Sequence, residues 1–128
     1  MQHVVAIAIG GAVGAVCRYG VNQGCARLLG DHFAFGTLAV NTAGCFLLGL
    51  AIPLGTSDSA RWHPAAHSGL TIGFLGALTT FSTFGYDTAR LVEGSRHGLA
   101  TTNIAANVVL GLAAVGAGLA CGRWLSGG

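Results

Sequence analysis

Charge is what this sequence has least of. Only 8% of its 128 residues are Asp, Glu, Lys or Arg, against the roughly 25% usual in a water-soluble domain. Lysine is absent, all six basic residues being arginine, and there are four carboxylates. With a mean hydropathy of +0.67, this excludes an ordinary soluble fold and points to a bilayer. Other absences narrow the function. No P-loop pattern occurs, so nucleotide-driven transport is not indicated. The four cysteines, Cys17, Cys25, Cys45 and Cys121, form no CxxC and no zinc spacing, and read as free thiols packed as small apolar residues. His3, His32, His63, His67 and His97 show no compact ligand spacing either and fall near the ends of apolar segments.

What is present is four long apolar stretches, at about 3–23, 33–54, 67–93 and 98–122. Crossing a hydrocarbon core takes about 20 mostly apolar residues, so the expectation is one all-α domain of four transmembrane helices over 1–128. Met-Gln-His supplies no basic leader region, and the first stretch is read as a permanent span. The connections between stretches are short, about 24–32, 55–66 and 94–97, with Pro64 as a breaker in the second. They leave no room for a soluble catalytic domain, so an enzyme is not expected. Arg18, Arg27, Arg90 and Arg96 would lie on one side of the membrane and Arg61 and Arg123 on the other. That bias is too weak for the positive-inside rule to fix one orientation, and insertion in both orientations with antiparallel pairing is compatible with it.

Each span carries polar residues at helical spacing. In the first, Gly11, Gly14, Arg18 and Asn22 share a face; a guanidinium at the hydrocarbon edge either snorkels or faces a vestibule. Thr37, Asn41 and Gly44 form a stripe in the second. The Asn41 amide, with two donors and two acceptor sites, is read as interhelical glue or as part of a polar path. Asn103, Asn107 and Gly111 do the same in the fourth.

The third span is the unusual one. Residues 76–84 read GALTTFSTF, with four hydroxyl side chains within 79–83 and Phe81 and Phe84 among them. Such hydroxyls either bond back to carbonyls four residues earlier in a bent helix, or accompany a break whose irregular backbone lines a cavity. Freed carbonyls would suit a cation. Hydroxyl and amide donors and the positive edges of aromatic rings would suit a small, strongly hydrated anion such as a halide.

Three stretches, GGAVGAVCRYG, GTLAVNTAGCFLLG and GFLGALTTFSTF, occur in this order over nearly the whole chain, and with them the sequence closely resembles the CrcB/Fluc family of small fluoride channels. The resemblance implies a four-span subunit whose third helix is broken mid-membrane, pairing as an antiparallel, dual-topology homodimer with two fluoride pathways. It implies a structural sodium ion on the dimer axis, held by the backbone carbonyls of Gly76 and Thr79. It places Phe81 and Phe84 along the fluoride path with their ring edges toward the ion, with Asn41, Ser82, Thr83, Thr37 and Asn107 beside them and Arg18 at the aqueous vestibule. Two positions depart from the family pattern: Ala77 replaces a second glycine, and Asn107 stands where Ser or Thr is commoner.

The implied activity is passive export of cytoplasmic fluoride across the inner, or plasma, membrane, relieving fluoride toxicity. Fluoride, lipid and a second copy of the chain are the expected partners, and nucleic acid is not among them. Two rivals belong to other classes. A small dual-topology, proton-coupled multidrug exchanger needs a carboxylate deep in a span, whereas Asp87 and Glu93 lie at the end of the third and the first has none. A purely structural membrane subunit would use the same polar residues only as glue.

Overall fold

The computed structural model describes residues 1–57 and 62–127; Arg61, one of the arginines weighed for orientation, lies outside them. Among the described residues the protein is predominantly helical and has no strands. Three long helices dominate: α1 (Gln2–Leu29), α2 (Phe35–Thr56) and α6 (His97–Leu125). At 1.5 Å per residue they measure about 42, 33 and 44 Å, and all three are long and apolar enough to cross a membrane.

Between α2 and α6 the chain forms several shorter pieces. Helix α3 (Pro64–Ser68) starts with Pro64 in its first turn, where the missing N–H is harmless, and the His63 side chain accepts from the Ala65 N–H. It widens into a π-helical segment, Gly69–Leu75, and tightens again into α4 (Gly76–Leu78). Thr79 (φ −81°, ψ 153°) and Thr80 (φ −154°, ψ 120°) are extended. Helix α5 (Phe81–Glu93) then resumes for 13 residues, about 20 Å.

Glycine lets these elements meet backbone to backbone. Along α1, a Cβ at Gly14 would collide with the Phe74 carbonyl of the π segment; along α6, one at Gly118 would collide with the Phe46 carbonyl of α2. Close approach of this kind drives helix association where lipid removes the hydrophobic incentive. The apolar core is correspondingly small: Val40, Leu75 and Leu78, with Leu70 and Phe74 against them. Many large apolar side chains on α1 and α6, among them Val16, Ile9, Val109 and Leu112, face outward, as they should where the surroundings are hydrocarbon. The ends also agree with the short connections: Arg96 Nη1 donates to the His32 carbonyl at 3.2 Å, joining the α1–α2 and α5–α6 connections at one end of the bundle.

The glycine contacts generate a contrast within one helix. Gly118→Ala should destabilise the fold by about 1–3 kcal/mol through overpacking. Gly116→Ala, where an added methyl meets open space, should leave stability unchanged or slightly raised. Unfolding of both variants in detergent micelles, followed by circular dichroism, checks this.

Candidate functional site

The site grows out of the two extended residues. Where a helix stops, backbone N–H and C=O groups lose their partners, and at hydrocarbon depth each unmatched group costs several kcal/mol. The side chain of Asn41, on α2, matches both groups of one residue. Its Oδ1 accepts from the Thr80 N–H at 2.9 Å, and its Nδ2 donates to the Thr80 carbonyl at 3.3 Å. The second Nδ2 hydrogen goes to Asn107 Oδ1 on α6, at 2.9 Å.

From there a series of bonds runs back to α5. Asn107 Nδ2 donates to the Asn103 carbonyl (3.0 Å) and to Asn103 Oδ1 (3.1 Å). Asn103, fully buried, donates from Nδ2 to Thr88 Oγ1 at 2.9 Å, and Thr88 donates to the Phe84 carbonyl at 2.8 Å.

Hydroxyls divide the remaining work at the break. Thr79 Oγ1 donates to the Leu75 carbonyl at 2.9 Å, the local back-bonding expected of a threonine in a helix. Thr80 Oγ1 instead caps α5, accepting from the Thr83 N–H at 3.2 Å, and lies 3.1 Å from both Ser82 Oγ and Thr83 Oγ1. Thr37 Oγ1, nearly inaccessible, donates to the Asp87 carboxylate at 2.8 Å.

Two cavities adjoin this framework. One, of about 520 Å³, is lined by Asn41, Gly76, Thr79, Phe81, Phe84 and Asn107, with apolar side chains between them. The Phe81 and Phe84 ring centroids are 5.4 Å apart and the rings tilted by 54°. The other, of about 400 Å³, opens at the end of the bundle where Arg96 meets His32; Asn22, Thr37, Thr83, Asp87 and Arg90 also line it. Thr37 stands one turn before Asn41 on α2, and Thr83 adjoins Phe84 on α5, so the two cavities follow one another along the same pair of helices.

The residues singled out in the sequence are therefore distributed over two chambers. Asn41, Phe81, Phe84, Asn107, Gly76 and Thr79 share the first, and Thr37 and Thr83 the second. Ser82 is exposed and bonded to Thr80. Arg18 is half-buried on α1 and lines neither; it sits one turn before Asn22.

Comparison with known proteins matches residues 5–119 to the family model described as CrcB-like protein, Camphor Resistance (CrcB). The chain belongs to the CrcB family. A protein of Dehalococcoides mccartyi named fluoride-specific ion channel is 47% identical over 126 residues, covering 98% of this chain and 95% of the relative. Proteins of the same name from Geotalea daltonii and Geobacter sulfurreducens are 42% and 43% identical over 125 residues, covering 98% of this chain and all of each relative. The CrcB family is one of ion channels, not enzymes.

Sequence reasoning missed Thr80 in this CrcB-family chain, although its peptide is the group Asn41 holds. The available signal was its place before Phe81: threonine is a favoured N-cap. Asp87 stands out in the sequence only as a carboxylate at the end of a span, and its hydrogen bond to Thr37, 50 residues away, has no sequence signature. Thr80→Val should lose the α5 cap and destabilise the protein by about 1 kcal/mol, while Thr80→Ser, which keeps the oxygen, should unfold with the parent in the same detergent assay.

Proposed function

We propose that this chain is a passive, fluoride-selective channel of the inner (plasma) membrane that lets cytoplasmic fluoride leave the cell. The observation that carries the reading is the chamber in which an amide, two tilted phenylalanine rings and a helix break converge, in a chain whose relatives are named fluoride-specific ion channels.

The chemistry follows from dehydration. A small anion gives up a tightly held water shell on entering, so donors at short range must replace it. Arg90 and Arg96, on the wall of the end chamber together with Asp31 and Asp87, offer guanidinium donors to an entering anion, and Arg18 adds a further positive charge on α1. Thr37, Thr83 and Ser82 supply hydroxyls along the way inward. Deeper in, Asn41 and the ring edges of Phe81 and Phe84 offer positive partial charge in an apolar setting. No carboxylate lines the inner chamber, which supports a path without proton coupling and disfavours the multidrug exchanger. Hydrogen fluoride entering from an acidic exterior dissociates inside, and such a path releases the trapped anion.

In this reading α3, the π segment, α4 and α5 together form the third of four spans, broken mid-membrane at Thr79–Thr80. Two copies pair antiparallel, giving two pathways, with lipid around them. A sodium ion would be held between the copies by the Gly76 and Thr79 carbonyls. The residues present fit it: the Thr80 N–H, which in a continuous helix would serve the Gly76 carbonyl, goes to Asn41, and the Thr83 N–H goes to Thr80 Oγ1 instead of the Thr79 carbonyl. Both carbonyls are hard oxygen donors released from helical duty. Sodium, when bound, supplies a fixed positive charge at that interface.

Liposomes loaded with fluoride or chloride test the reading. Purified protein should release fluoride rapidly and chloride negligibly. Phe81→Ile and Phe84→Ile, which keep bulk and lose the polarised ring edge, should each slow fluoride release by up to about tenfold without loss of the dimer. Folded protein that releases neither ion would overturn the proposal.

A further inference from the structure

Asn41 is fully engaged in the observed conformation. Its Oδ1 is held by the Thr80 N–H, and its two Nδ2 hydrogens by the Thr80 carbonyl and Asn107 Oδ1. The direction of the bonds that follow is fixed by groups with only one possible role. At one end the Thr80 N–H can only donate; at the other the Asn103 and Phe84 carbonyls can only accept. Turning over the Asn107 amide would set its NH2 against that of Asn41 and its oxygen against the Asn103 carbonyl. The relay Asn41 to Asn107 to Asn103 to Thr88 to Phe84 therefore runs one way, and Asn107 presents its oxygen, not its nitrogen, to Asn41.

That orientation reverses the role expected of Asn107. Resting on the fluoride reading above, we propose that Asn107 Oδ1 is a resident acceptor that occupies the Asn41 donor in the absence of an ion and is displaced by fluoride. An unpaired N–H at this depth is costly, and the resident oxygen removes that cost when the path is empty. Hydrogen bonds to a charged acceptor are roughly twice as strong as neutral ones, so fluoride wins the exchange. The freed Oδ1 then faces a chamber of about 520 Å³, roomy enough for a water to serve it. A larger halide, being a poorer acceptor, does not repay the lost amide bond. Asn107 thus acts as a specificity-determining residue by competing with the anion, and Asn103, anchored to Thr88, is the positioning residue that keeps its oxygen turned toward Asn41.

The sign of one change decides between competitor and donor. Asn107→Ala removes the resident acceptor, so the fluoride concentration giving half-maximal release should fall about 2- to 10-fold, the usual range for one net hydrogen bond, and chloride release should rise. Asn107→Asp, of the same shape with a stronger acceptor, should move the half-maximal concentration the opposite way. An unchanged or raised value in Asn107→Ala would sink the inference. A second measurement needs no variant to fold: the chain has four asparagines, and in protein labelled with 15N-asparagine fluoride should shift the Asn41 side-chain amide more than that of Asn107, which Asn103 still holds. A larger shift at Asn107 would make it a donor and overturn the proposal. If the unaltered protein releases no fluoride, the fluoride reading itself fails; if it conducts and the Asn107→Ala value does not fall, only the displacement fails.

Discussion

The pairing of the Asn41 amide with the Thr80 peptide is the interaction on which the rest of the site depends. A side-chain amide has the same donor and acceptor groups as a peptide, and here it completes both halves of one, at 2.9 and 3.3 Å. Without such a partner, two extended residues in the middle of an apolar bundle would leave backbone groups unmatched, and continuing the helix would be the cheaper course. With it, the chain can stop at Leu78, restart at Phe81 and turn Phe81 outward, where it is 83% exposed. The break is thus stabilised from another helix, by a residue 39 positions away.

That arrangement in turn needs helices that approach closely. Asn41 reaches Thr80 on one side and Asn107 on the other only if α2 lies tight against both the interrupted segment and α6. Glycine provides the fit along α2 and α6, at Gly49 against Val115 and Gly118 against Phe46, and Gly44 receives the Thr79 methyl group beside the break. Shape and polarity are coupled here, since the small residues set the distance at which the amides can bond. The few fully buried apolar side chains are consistent with packing carried mainly by backbone contact.

Much of this was legible in the sequence because hydropathy and small-residue spacing act locally. The long apolar helices, the density of hydroxyls at 79–83 and the isolation of Asn41 in an uncharged run all stand out without a structure. The all-helical class and the family both follow from such features, the latter from motifs over nearly the whole chain. What could not be read is direction. Sequence spacing puts Asn103 and Asn107 on one face of a helix but does not say which atom of an amide points where; that depends on Thr80, Thr88 and Phe84, brought together from other helices. The same holds for the contact between Thr80 and Asn41, since the group held there is the Thr80 peptide and not its side chain.

Two extended residues between helical segments have a further consequence for the charges presented there. The last carbonyls of α4 and the first N–H groups of α5 lack helical partners by construction, so one interruption exposes acceptors on its upstream side and donors, with the positive end of a helix dipole, on its downstream side. Gly76 and Thr79 lie on the first side, Phe81 and Ser82 on the second. The hydroxyls then determine how these groups are shared. Thr79 turns back to the Leu75 carbonyl, while Thr80 takes the Thr83 N–H and so steadies the start of α5. Two adjacent threonines with the same side chain thus act in opposite directions, one bonding back into the helix that ends and the other capping the helix that begins.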